Sequence, residues 1–193
     1  MQNILRYIAF LFTDLRIRRG NRLMKYNEPD ITDILAVCIP FLNSLGIQTI
    51  FRKIDSPTFL PGLLIEEGNI IIDKDTLLYP GDILHEAGHI AVVPSPERAL
   101  LNNESVLASK NREAEEMMAI AWSYAACLHL NLDPLIVFHE NGYRGGGENI
   151  VENFQAGRFF GVPTLQWCNM TTEPRNAKRG DVVYPDMNMW LRE

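Results

Sequence analysis

Residues 85–89 read His85-Glu86-Ala87-Gly88-His89, and this run leaves little choice for the local fold. Two histidines four apart act on one ligand only if the backbone between them is an α-helix, where positions i and i+4 stand on the same face. In that conformation both imidazoles reach a single Zn²⁺, and Glu86 beside them is a candidate general base. Zinc takes N and O ligands in tetrahedral geometry, and a catalytic site keeps one position open. The flanks agree with a helix. Tyr79-Pro80-Gly81-Asp82 is turn chemistry, with Asp82 the expected N-cap of a helix opening at Ile83. Ile83, Ala87, Ile90 and Ala91 form an apolar stripe to one side of the histidines. Pro94 and Pro96 end the helix, because proline lacks an amide N–H and its ring collides with the preceding turn. Gly88 costs about 1 kcal/mol relative to Ala inside a helix, so its missing side chain marks a place where another backbone or helix comes close.

Two histidines do not complete a zinc site. No histidine follows His89 until His129, so the remaining ligand is expected from the acidic cluster Glu113-Ala114-Glu115-Glu116, which opens a long helical pattern at 112–129. Glu116 stands 27 residues beyond His89. With a helix and a small hairpin-bearing sheet before the motif, this order resembles the gluzincin arrangement, and in particular the minimal metallopeptidases of the ImmA/IrrE type. The likeness covers roughly residues 30–130.

Several expectations follow from that likeness. It implies a metallopeptidase with Zn²⁺ held by His85, His89 and a glutamate from an antiparallel helix, and a zinc-activated water attacking a peptide bond with Glu86 as proton acceptor. The Glu-Ala pair common in that family points to Glu113; spacing and helix phase favour Glu116, with Glu115 the remaining alternative. An oxyanion or substrate donor is expected as well, and the candidates are Tyr143, Arg144, His139 and His129. The glycine-rich run that carries Tyr143 and Arg144 also reads as a flexible connector, and His129 as a cationic cap at the end of its helix. An edge strand at 63–65 or 70–72 would hold an extended peptide or protein substrate. Two alternatives share the same metal site: a zinc hydrolase of a non-peptide amide or ester, and a catalytically silent zinc-binding regulatory or interaction module.

The surrounding chain reads as α+β, with a small antiparallel or mixed sheet packed on the motif helix and a second, antiparallel ligand helix. A capped helix runs through 31–45 to Gly46, a strand follows at 49–54, and 63–65 pairs with 70–72 as a hairpin across Glu66-Glu67-Gly68-Asn69. Residues 95–110 read as a polar loop. Leu132-Asp133-Pro134 breaks the long helix, 135–139 is a short apolar segment, 142–147 is a loop, and a further helix spans 148–160. The proline-bearing tail is expected to be irregular and to pack through Trp167, Tyr184 and Trp190. The domain reading is a basic amphipathic extension at 1–26 and one zincin-like domain at 27–193, extended from about 131.

Charge is uneven along the chain. Residues 1–26 carry six Lys/Arg against Asp14, leaving 12 basic and 23 acidic residues for the remainder, or −11 out of a net −6. An acidic body argues against nucleic acid as a partner. The apolar stretch at 4–12 is too short to span a membrane, so no transmembrane segment is expected. Cys38, Cys127 and Cys168 are scattered and odd in number, which suits reduced thiols in a cytoplasmic protein, two of them in the core.

Overall fold

The computed structural model describes residues 31–193, and the basic extension of 1–26 lies outside them. Helix α1 (Ile31–Ser44) buries Ile34, Leu35, Cys38 and Leu42, one face of a 3.6-residue period. It stops at Gly46, whose φ of +89° is left-handed, while the Ile47 amide returns to the Leu42 carbonyl at 3.1 Å.

Three short strands follow: β1 (Thr49–Phe51), β2 (Leu63–Glu66) and β3 (Asn69–Ile72). Their order is β1-β3-β2, with β1 parallel and β2 antiparallel to β3. The turn between β2 and β3 holds Glu67 at φ 51° and Gly68 at φ 69°, the pair of positive values that a tight two-residue hairpin needs. Ile70, Ile71 and Ile72 are all fully buried, as a central strand covered on both faces requires. The strand expected at 49–54 is shorter, because beyond Arg52 the backbone turns to other partners and the Ile54 amide donates to the Asp73 carboxylate at 3.0 Å.

Helix α2 (Asp82–Val92) carries the His-Glu-x-x-His run and lies on β2 and β3, with α1 beside it. It ends where expected: Val93, the residue before Pro94, is extended. The stretch expected as a polar loop holds two short helices, α3 (Ser95–Arg98) and α4 (Asn103–Ala108). Proline in the first turn favours the first, and a reciprocal capping box between Asn102 and Ser105, 2.8 Å in both directions, starts the second.

Helix α5 (Arg112–His129) packs on α2. A Cβ on Gly88 would sit 2.9 Å from the Ala119 carbonyl oxygen, the close approach that the glycine foretold. The buried Ser123 hydroxyl donates to the Ala119 carbonyl at 2.6 Å and lies 3.3 Å from the Leu84 carbonyl. Ala119 faces Gly88 and Ser123 faces Leu84, so the two helices run antiparallel. The fold is therefore α+β, a small mixed sheet on one side of the motif helix and a second helix across it.

Beyond α5 the chain forms a 3-10 turn at Pro134–Ile136, another at Tyr143–Gly145, then α6 (Gly147–Gln155) and α7 (Val162–Trp167). Helix α6 ends earlier than the expected 160, because Gly157 turns left-handed at φ 72° and the Arg158 amide closes on the Asn153 carbonyl at 2.8 Å. Part of the tail expected as irregular is thus helical. Tyr184 is buried and its hydroxyl donates to the Ala121 carbonyl at 2.9 Å; Trp190 stacks edge-on to Trp122 with its carbonyl accepting from the Trp122 indole at 2.8 Å. Trp167 departs from expectation and is 88% exposed. Val162 and Leu165 take the buried face of α7, and a residue two beyond Leu165 points roughly 200° round the axis. Among the described residues no helix is long and apolar enough to cross a membrane.

Candidate metal centre

The start of α2 sets the orientation of the site. Its N-cap is Gly81, with no side-chain cap, and the helix begins at Asp82 rather than at Ile83. Gly81 is wedged against Ile136, whose carbonyl oxygen would lie 2.1 Å from a Cβ there. Asp82, expected as the cap, is instead a buried first-turn carboxylate 3.2 Å from His139 Nε2. The His139 ring in turn stacks on Tyr79, centroids 3.9 Å apart and 14° from parallel.

One turn further on, the helix presents His85 and His89 with their Nε2 atoms 3.2 Å apart. From α5, Glu116 places one carboxylate oxygen 3.5 Å from His85 Nε2 and the other 3.4 Å from His89 Nε2. One ligand atom from each of the three residues lies within 4.8 Å of the other two. Glu113, which is exposed, and Glu115 are outside that group. The separations can be tested against a metal. Four ligands about 2.0–2.1 Å from zinc at the corners of a tetrahedron stand about 3.3–3.4 Å from one another. The 3.2 Å between the two imidazole nitrogens matches that spacing, each Glu116 oxygen stands at a like distance from one of them, and the donor set is the nitrogen and oxygen chemistry zinc accepts, so the residues could hold a divalent ion.

The electrostatics are those of a desolvated cluster. Burial, reinforced by the charge on His85, lowers His89 to about 4, so its imidazole is neutral at ordinary pH. Burial pushes the Glu116 carboxyl up, but His85, His89 and Arg112 outweigh it and hold the group below its usual value, as a ligating carboxylate requires. Glu86 goes the other way, raised to about 8 by burial first and then by the neighbouring Asp82 and Glu116 carboxylates. The Tyr143 phenol is raised well above its ordinary value, again by burial and then by Glu116, and stays neutral.

The remaining candidates separate clearly. The Tyr143 hydroxyl lies 3.1 Å from His85 Nδ1, the ring nitrogen turned away from the cluster. Arg144 is exposed, with a left-handed backbone at φ 55°. His139 reaches the site region through Asp82. His129 is remote: 13 residues along α5 from Glu116, about 20 Å at 1.5 Å per residue, it packs against Phe41 and Trp190. The run around Tyr143 is more than a connector, since Gly147 sits hard against the Phe138 carbonyl, with no room for a Cβ.

The strand edges differ from expectation too. Residues 70–72 form the central strand and offer no edge. On β2 the outward amides are occupied: Leu63 donates to the Leu60 carbonyl at 3.1 Å and Ile65 to the Asn103 side chain at 2.7 Å. Sequence reasoning did not find Asn103, nor the Asp82–His139 pair. Being one of four histidines was the one signal His139 gave. Cys38 and Cys127 are buried as expected, and burial pushes the Cys38 thiol up to about 12. No protein-family model, curated protein or solved structure matches this chain.

Proposed function

We propose that the protein is a zinc-dependent hydrolase, a cytoplasmic metallopeptidase of the gluzincin type that resembles the ImmA/IrrE proteins and cleaves a peptide bond in a peptide or protein substrate. The observation that carries this reading is the convergence of His85 Nε2, His89 Nε2 and the Glu116 carboxylate, with Glu86 next to the first ligand and outside the set. A zinc ion in that site supplies Lewis acidity, which polarises a substrate carbonyl and makes water acidic enough to act as a nucleophile near neutral pH. Glu86 takes the proton from the attacking water on a carboxylate oxygen and delivers it to the leaving amine nitrogen. Accepting that proton requires the carboxylate form, which a divalent cation bound nearby would favour over the protonated form that the metal-free site holds up to about pH 8. Free thiols at Cys38, Cys127 and Cys168 support a reducing, cytoplasmic setting.

One observation favours a second reading. The occupied outward amides of β2 leave that edge closed to an extended peptide, whereas a small non-peptide amide or ester needs no strand edge. Elemental assay of the purified protein should give one zinc per chain, removed by chelator and lost in His85→Ala. Glu86→Gln should keep the zinc and lose at least about 10²-fold in turnover of the best substrate from peptide, amide and ester panels. Zinc-free protein, or equal turnover in the two forms, overturns the proposal. Zinc bound with no turnover of any panel member identifies a silent metal-binding module instead.

A further inference from the structure

Tyr143 meets the candidate centre at an atom that points out of it. Its hydroxyl is 3.1 Å from His85 Nδ1, and the two rings stand edge-on at 5.8 Å and 83°. The opposite nitrogen, Nε2, is the one that faces His89 and Glu116. A neutral imidazole carries one N–H and one lone pair, so what happens at Nδ1 decides what Nε2 offers. If the phenol oxygen accepts from Nδ1–H, the Nε2 lone pair is free. If the phenol donates to Nδ1, Nε2 carries a hydrogen into the 3.2 Å gap before His89 Nε2 and cannot ligate.

We propose that Tyr143 is a positioning residue that selects the Nδ1–H tautomer of His85 and thereby presets the centre to receive a divalent cation. The inference rests on the metal reading above and adds a role for a side chain that is not itself a ligand.

The backbone supports it independently. Tyr143, Arg144 and Gly145 are left-handed in succession, at φ 48°, 55° and 77°. Only the third has glycine's freedom, and the other two persist because the surroundings hold them. The anchors are visible. Phe138 is fully buried with its ring 5.3 Å from that of Tyr143, and the Gly147 position lies against the Phe138 carbonyl, where a Cβ would come within 2.0 Å. Turn bonds from Gly145 to Gly142 at 2.8 Å and from Gly146 to Tyr143 at 3.0 Å close the loop on itself. A plain connector has no need of such a turn, whereas delivery of one phenol to one ring nitrogen does.

The role differs from that of a donor to the transition state, which would leave metal affinity unchanged. The test is Zn²⁺ affinity of the full chain by competition with a chromophoric chelator, wild type against Tyr143→Phe. Phe keeps the ring and removes only the hydroxyl. Zinc binding is expected to weaken about 10- to 100-fold, the usual cost of losing an outer partner of a histidine ligand. Equal affinity overturns the inference and leaves the proposed hydrolase standing, whereas a wild type that binds no zinc removes both. Should the variant fail to fold, long-range ¹⁵N–¹H NMR of the metal-free wild type decides. His85 is expected as the Nδ1–H tautomer, and an Nε2–H tautomer overturns the inference.

Discussion

Glu86 shows how one side chain records its surroundings. Its carboxyl sits one residue from a ligand and close to two other carboxylates, and its raised value of about 8 has a consequence for stability. In the metal-free protein the folded state holds this proton up to about pH 8, while the unfolded chain releases it near the ordinary 4.5. Between those values the native state binds more protons than the unfolded one, so Glu86 lowers stability progressively as pH rises through the window. Gln removes the titration. Metal-free Glu86→Gln should therefore melt with wild type near pH 4 and above it, by several degrees, at pH 8 to 9, as read by thermal unfolding across pH. A constant offset at every pH would show that Glu86 is not desolvated as described. Gly88 makes the complementary point: the sequence marked it as costly in a helix, and the structure spends that cost on the approach of Ala119.

At the scale of elements, the long helices were legible, while the short helices α3, α4 and α7 and the strand edges were not. Apolar periodicity, the Pro94–Pro96 stop and the Asp133-Pro134 break are local signals, and α1, α2 and α5 fall where those signals put them. The hairpin was equally readable from Glu66-Glu67-Gly68-Asn69 between two apolar runs. Which strand lies at the centre is decided by β1 joining from the far side, and no residue in β1 announces that. Asn103 on the outward face of β2 is a contact across 38 positions of chain, and composition alone made its neighbourhood a loop. Its side chain shields one amide, and this can be measured. Asn103→Ala leaves the Asn102–Ser105 capping box intact and should speed hydrogen exchange at the Ile65 amide about fivefold, in keeping with the ~1 kcal/mol of a single hydrogen bond. Unchanged exchange would mean that the edge is covered by something other than this side chain.

Across the whole molecule, the segment beyond residue 130 braces the two ligand helices. The Arg192 amide donates to the Ala91 carbonyl at 2.9 Å and its guanidinium to the Val92 carbonyl at 3.2 Å, so Arg192 satisfies two of the C-terminal carbonyls of α2. The Arg98 guanidinium donates to the Arg192 carbonyl in turn. Trp190 fits among Phe41, Trp122 and His129, and Tyr184 reaches Ala121 in the middle of α5. Gly161 presses on the Met117 carbonyl, one residue from Glu116. Trp190→Ala should therefore cost about 3 kcal/mol in denaturant unfolding, the range for an aromatic removed from a packed site. A loss under about 0.5 kcal/mol, the scale of a surface substitution, would show that the tail merely lies against the body.

What the sequence determined by itself is what local geometry settles. Two histidines four apart on a helix bounded by a turn and prolines have to share a face, and a neighbouring glutamate has to stand beside them. Tertiary structure alone decided the rest: that Glu116 and not Glu113 or Glu115 closes the cluster, that Asp82 pairs with His139 instead of capping its helix, that Asn103 covers β2, and that Tyr143 meets the outer nitrogen of His85. Each of these joins segments at least 27 residues apart in the chain. Such contacts depend on the angle and rotation at which packed elements meet, and these are fixed by the collective fit of the core and not by any residue's own preference.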